Sequence, residues 1–212
     1  GIDFVATRQT EDWYWRHRDG TAMILPAPPL AAPVQYANAA TAIATLHALW
    51  RTDEAMAPAA FFSAASAGLD RVRVPARLQS LGGDPLLMVD VGHNPQAARA
   101  LAEWLDTQSF DRVHAVYAAL ADKDVAGVIA ALGERIGHWH LASLDRMTTR
   151  GLTADVLGDS LRRVLPGAVF DSHADVAGAL GAARLAARPG DCVLAFGSFF
   201  VASAVIAEQA GL

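Results

Sequence analysis

The sequence predicts an α/β fold over residues 69–212, with a Rossmann-like, mostly parallel sheet and helices on both faces. Three observations carry this prediction. Short, near-continuous apolar runs alternate with amphipathic stretches from about Leu69 onward, the pattern of buried parallel strands joined by helical crossovers. Hydrophobic residues make up 53% of the 212 residues and charged ones 18%, so the chain can bury a real core. The texture differs before Gly68, where aromatic strands and Ala-rich helices precede the alternation. We therefore expect a boundary there, with 1–68 and 69–212 as separate domains.

In the first segment, Trp13 to Arg18 alternates aromatic with polar residues, and Asp19-Gly20 supplies a tight hairpin turn, because Gly accepts φ > 0. Thr21 to Leu25 is the return strand. The proline-rich 26–33 reads as an extended connection. Gln35 to Trp50 places Ala39, Ile43, Leu46 and Leu49 at helical spacing, and a short helix around Phe61 and Phe62 ends near Gly68. In the second segment the strands are Leu86–Val91, Val113–Ala118, Trp139–Leu144, Ala168–Phe170 and Cys192–Phe196. The helices between and after them are Pro95–Leu105, Val125–Ile136, Ala154–Leu165, Ala174–Ala187 and Val201–Gln209.

Composition excludes several classes. A net charge of −5 argues against a general nucleic-acid binder, which needs a basic face. Cys192 alone cannot make an internal disulfide, which fits a reducing, cytoplasmic setting. No apolar run reaches the roughly 20 residues of a membrane span. The chain opens at Gly1 without a methionine, and we expect it to be a piece of a longer protein.

Ligands of open α/β sheets sit beyond the carboxyl ends of the strands. After the first such strand comes Asp90-Val91-Gly92-His93-Asn94-Pro95. Asn94 suits a helix N-cap and Pro95 the first helical position. Asp90 can accept hydrogen bonds from sugar hydroxyls; equally, Asp90 and His93 can simply satisfy the turn. After the last strand comes Phe196-Gly197-Ser198-Phe199-Phe200. A nucleophile elbow needs Gly where Phe200 stands, so Ser198 reads as a helix cap, with or without a ligand contact. Asp122-Lys123-Asp124 can bind an anionic group at a helix start or be a solvated loop capped by Asp124. Arg77 lies in a strand-like stretch. His138 and His140 alternate and face one side, but no third ligand is near in sequence, so no metal site is predicted. There is no Gly-x-Gly-x-x-Gly and no Walker A loop.

The ordered set Gln35-Tyr36-Ala37-Asn38-Ala39-Ala40-Thr41, Pro75-Ala76-Arg77-Leu78-Gln79, Asp90 to Pro95, Asp122-Lys123-Asp124 and Gly197-Ser198-Phe199 resembles the back half of folylpolyglutamate synthase/dihydrofolate synthase, a branch of the Mur ligase superfamily. The resemblance covers essentially the whole chain. It implies that 69–212 is the Mur ligase C-terminal domain and that 1–68 is the end of the central ATPase domain. It also implies ATP with Mg²⁺ as cofactors, with the metal ligands upstream. By the same resemblance, Asn38 contacts adenine, Arg77 the phosphates and Asp90 the ribose. His93 and Ser198 are the catalytic residues, lining the glutamate site near the γ-phosphate, and Lys123 and Arg150 are further substrate contacts. The implied reaction is ATP-dependent amide ligation of L-glutamate to dihydropteroate or folates through an acyl phosphate, by a cytoplasmic enzyme expected to be monomeric. The chain alone, lacking the P-loop, is expected to be inactive. Two departures stand out: Pro75-Ala76-Arg77 replaces the family's Pro-Gly-Arg, and Gly92 replaces an Ala. The alternatives are a Mur-type ligase acting on a peptidoglycan precursor, a non-catalytic nucleotide- or amino-acid-binding module, and a hydrolase using Ser198 with His93.

Overall fold

A computed structural model describes residues 3–9, 12–30, 32–52 and 56–211. Gly1, and residue 31 in the proline-rich connection, lie outside the described residues. The chain forms two compact units, Gly1–Val74 and Pro75–Leu212. Gly68, where the sequence suggested a break, lies inside a helix.

The first unit is an antiparallel meander of β1 (Phe4–Arg8), β2 (Asp12–His17) and β3 (Ala22–Pro26), with α1 (Val34–Trp50) and α2 (Pro58–Arg71). The strand period of two puts Trp13 and Trp15 of β2, and Met23 and Leu25 of β3, into one core with Ala40, Ile43 and Phe61. Each indole N–H finds a carbonyl: Trp13 Nε1 donates to Pro26 at 2.8 Å and Trp15 Nε1 to Ala40 at 3.2 Å. The buried face of α1 is Ala40, Ile43 and His47, not the expected line through Leu46 and Leu49, which are both exposed. His47 is drawn inward because its Nε2 meets Thr21 Oγ1 at 3.2 Å and its ring packs against Trp15, Trp50 and Phe61.

The second unit is a six-stranded sheet. Its strands are β4 (Gln79–Gly82), β5 (Leu86–Val89), β6 (Val113–Tyr117), β7 (His138–Ala142), β8 (Phe170–His173) and β9 (Cys192–Phe196), in the order β4-β5-β9-β6-β7-β8. Only β4 runs antiparallel, paired with β5. The connecting helices are α3 (Pro95–Leu105), α4 (Val125–Leu132), α5 (Ala154–Val164), α6 (Val176–Ala186) and α7 (Phe199–Gln209). Every residue of β6 and β9 is buried, as expected of central strands covered on both faces. Val116, Ala142, Val193 and Ala195 pack with α6 and α7, while α3, α4 and α5 pack in succession. Cys192 is fully buried, and burial pushes its thiol up to about 12; it is a packing residue.

Two expectations shift. The stretch 133–136 is not helical to its end: α4 stops at Leu132 and a 3₁₀ turn covers Gly133–Arg135. The strand expected at Ala168–Phe170 starts at Phe170 and runs to His173. Among the described residues no helix is long and apolar enough to cross a membrane.

Candidate functional site

The strand order explains where a site forms. The chain leaves β5 through α3 for β6, yet β9 is inserted between those two strands. The carboxyl ends of β5 and β9 therefore flank a topological switch point, the usual ligand crevice of open α/β sheets.

Asp90 follows β5 directly and is 7% exposed. Its backbone N–H donates to Ala195 of β9 at 2.9 Å, which continues the parallel ladder and fixes its position. Both carboxylate oxygens accept backbone hydrogen bonds, Oδ2 from Leu78 at 2.6 Å and Oδ1 from Gly92. Burial pushes the carboxyl above the usual carboxylate range, against the pull of those two N–H groups and of the Arg77 and His93 side chains. A Cβ at Gly92 would come within 2.6 Å of Oδ1 and 3.0 Å of Ala97 Cβ, so Gly at 92 leaves room for the carboxylate where it lies. His93 holds its Nδ1 2.9 Å from the Val91 carbonyl. A neutral ring donates through Nδ1 there and keeps Nε2 as an acceptor. Asn94 caps α3, accepting from Ala97 N–H at 2.8 Å.

Arg77 does not sit in a strand. It occupies a tight turn between two residues with positive φ, Ala76 at 54° and Leu78 at 47°, and its side chain is exposed. Ala76 therefore adopts the left-handed backbone that Gly would take without strain. Three bonds hold the turn: Ala76 N–H to Gln79 Oε1 at 2.9 Å, Val91 N–H to the Ala76 carbonyl at 2.9 Å, and Leu78 N–H to Asp90. The sequence does not reveal this clamp, because its three donors are backbone N–H groups that no side-chain pattern announces. For Ala76→Gly, relief of left-handed strain, about 1–2 kcal/mol, opposes the lost buried methyl and the extra unfolded-state freedom, together also about 1–2 kcal/mol. We expect a change within about 0.5 kcal/mol. Ala179→Gly inside α6, with no strain to relieve, should cost about 2 kcal/mol; denaturant melts of the two variants check the contrast.

Just past β9, Ser198 is the N-cap of α7, 3% exposed, its Oγ accepting from Val201 N–H at 3.2 Å. Among the described residues no hydrogen bond joins Ser198 Oγ to a base, so its observed role is the helix cap. Gly197 before it has φ 112°, and a Cβ there would collide with the Ala118 carbonyl and lie 2.7 Å from the Tyr117 ring. This close approach sets the β9 turn beside the end of β6.

Beyond β6, Asp124 caps α4, accepting from Gly127 N–H at 2.8 Å. The start of α4 lies against that of α3, since a Cβ on Gly127 would meet Pro95. The loops after β6 and β7 are bridged by Ala121 N–H to the Arg150 carbonyl at 2.8 Å and Leu152 N–H to Ala119 at 3.1 Å. That bridge brings Lys123 and Arg150 to one carboxylate: Asp122 pairs with Lys123 at 2.8 Å and Arg150 at 3.8 Å. The family resemblance points to Lys123 and Arg150, but not to Asp122 as the carboxylate that gathers them.

Within the first unit, Asn38 lies on α1 at the edge of a cavity of about 450 Å³ lined also by Pro28, Ala42, Leu46, Leu69 and Val72. Its Nδ2 donates to Gln35 Oε1 at 3.0 Å. An apolar slot of this size with two amides at its edge suits a flat heteroaromatic ring. Asn38 and the group around Asp90 belong to different units.

The Mur ligase, glutamate ligase domain family model matches residues 76–199. Dihydrofolate synthase/folylpolyglutamate synthase of Escherichia coli K12 is 34% identical over 209 residues, which is 97% of this chain and 44% of that protein. The Haemophilus influenzae protein of the same name is 29% identical over 93% of this chain and 47% of its own. Among solved structures, E. coli FolC with DHPP and ADP superposes with a TM-score of 0.83 at 32% identity, covering 100% of this chain and 47% of that one. A bifunctional folylpolyglutamate synthase/dihydrofolate synthase with Mn, AMPPNP and L-glutamate bound gives 0.76 at 33% identity, covering 98% and 46%. The chain thus spans less than half the length of these relatives.

Proposed function

The chain belongs to the Mur ligase family through its glutamate ligase domain, and from that membership we propose that it supplies nucleotide and glutamate contacts of an ATP-dependent amide ligase acting on dihydropteroate or folates. The observation that carries the reading is the gathering of Arg77, Asp90, His93 and Ser198 at the switch point, with Lys123 and Arg150 beyond the next strand. The solved relatives with ADP, AMPPNP and L-glutamate bound support it.

The residues fit ATP as co-substrate. Asn38 in its apolar slot offers an amide whose donor and acceptor match adenine. Asp90 has one lone pair left on each oxygen after its two backbone bonds, enough to accept from ribose hydroxyls. Arg77, exposed and held at a tight turn, offers a guanidinium fork to phosphate oxygens. In this reading His93 Nε2, as an acceptor, serves the amine of glutamate, and the α7 amino end at Ser198 serves one of its carboxylates. A carboxylate is a poor electrophile, so the ligase must first phosphorylate it, giving the glutamate amine a carbon with a leaving group. The work of this chain is then to position the reactants and offset charge. Magnesium would travel with the ATP phosphates. The sequence carries no Walker A loop, so the phosphoryl-transfer machinery belongs to another part of the whole protein, which we take to be a cytoplasmic enzyme.

Three assays test this. The purified 212-residue chain should release no phosphate with ATP, dihydropteroate and glutamate; release above background would overturn the division of labour. In the whole protein, Asp90→Ala should raise the KM for ATP, and an unchanged ATP dependence would remove Asp90 from the site. Turnover of a UDP-linked cell-wall precursor in place of dihydropteroate would move the substrate assignment.

A further inference from the structure

The parallel register of β6 and β7 sets His114 opposite His138, and Val116 opposite His140. Strand alternation then puts His114, His138 and His140 on one face, the face on which Val116 packs with α6. This supplies the third histidine that the sequence around His138 and His140 does not hold. One ring nitrogen of each lies within 4.8 Å of the other two.

We propose that His114, His138 and His140 form a binding site for a divalent transition-metal ion of the zinc type, independent of the ligase site. Four observations carry it. His114 Nδ1 and His140 Nε2 stand 3.3 Å apart, and two ligands at about 2.0–2.1 Å from a tetrahedral ion are separated by about 3.3–3.4 Å. A metal-bound histidine usually turns its other nitrogen to a carboxylate, and two carboxylates are in place: Asp191 Oδ2 lies 3.5 Å from His114 Nε2, and Asp171 Oδ2 lies 2.9 Å from His138 Nε2. Asp191 is itself buried and oriented by Arg188 N–H at 2.8 Å. His114 and His140 are both buried, and the one hydrogen bond that either ring makes among the described residues is the contact between His114 Nδ1 and His140 Nε2, where an ion can take the place of the shared proton. Finally, His138 is only partly buried, so the cluster is not sealed from solvent, from which a fourth, water ligand would come.

A second histidine group, His17 and His47 around Asp19, serves as an internal control. Its Asp19 is taken up by Thr21 N–H and by His17, and His47 by Thr21 Oγ1.

The test uses the tag-free chain, stripped with a chelator, titrated with ZnCl₂ by calorimetry and with CoCl₂ by visible absorption. We expect one Zn²⁺ per chain and the d–d bands of four-coordinate Co²⁺. His138→Gln and the exposed outer carboxylate variant Asp171→Asn should each weaken Zn²⁺ about tenfold or more, while both keep the wild-type circular dichroism. His17→Gln should leave binding unchanged. Absence of saturable Zn²⁺ binding, equal affinity in His138→Gln, or loss in His17→Gln instead would each overturn the assignment.

Discussion

Gly197→Ala is expected to destabilise the second unit by about 3–5 kcal/mol, more than ordinary single substitutions do. Two causes add. At φ 112° an L-residue is strained whatever surrounds it. The added Cβ would also run into the Ala118 carbonyl, with the Tyr117 ring 2.7 Å away. Rotation of a side chain cannot relieve a clash with backbone, so either β9 must draw away from β6 or the turn into α7 must re-form. Both strands are central and wholly buried, and moving one opens the core. The same shift carries Ser198 off the α7 cap. Urea unfolding of Gly197→Ala beside Gly181→Ala, which meets nothing within 4 Å, checks the claim. A difference between the two below about 1 kcal/mol would show that the close approach is not as tight as described.

That turn illustrates what sequence can and cannot reveal. Gly197-Ser198 is readable as a close approach followed by a cap because both residues act through their own chemistry. The helix Pro95–Leu105 is readable to the residue, since Asn94 and Pro95 mark its start. Arg77 was misread as strand because its neighbours are apolar, and nothing in Ala or Leu announces a left-handed backbone; the turn exists only because Asp90, Gln79 and Val91 clamp it from outside. The buried face of α1 escapes local pattern for a similar reason. Leu46 and Leu49 fit helical spacing, but Thr21 and the aromatic rings pull His47 inward instead. His114 and His138 meet through strand register, and register between strands joined by a crossover is set by the whole sheet, not by local pattern.

The Asp90 clamp leads to the other large effect. Replacing Asp90 with Ala orphans the Leu78 and Gly92 N–H groups, both within buried residues. Each lost acceptor costs about 1–3 kcal/mol, partly offset because a buried carboxylate is no longer present. Asp90→Asn is the sharper probe. Asn keeps the shape but has one acceptor oxygen, so its NH₂ must face one of the two N–H groups; we expect a loss of about 2 kcal/mol at neutral pH. The sign of the pH dependence follows from the raised carboxyl pKa. A folded-state pKa above the unfolded value contributes stability that is fully present below the unfolded value, near 3.9, and is lost as pH rises through the folded one. The stability gap between wild type and Asp90→Asn should therefore be widest in acid and narrow as pH rises, with other titrating groups cancelling in the difference. The turn that carries Arg77 should loosen in step: amide hydrogen exchange at Leu78 should accelerate in both variants, because its strained φ of 47° persists only while its N–H is held. Unchanged protection of that amide in Asp90→Ala would mean that Asp90 does not hold the turn. Any loss of ATP affinity in that variant would then be assigned to the ribose contact alone, rather than to displacement of Arg77.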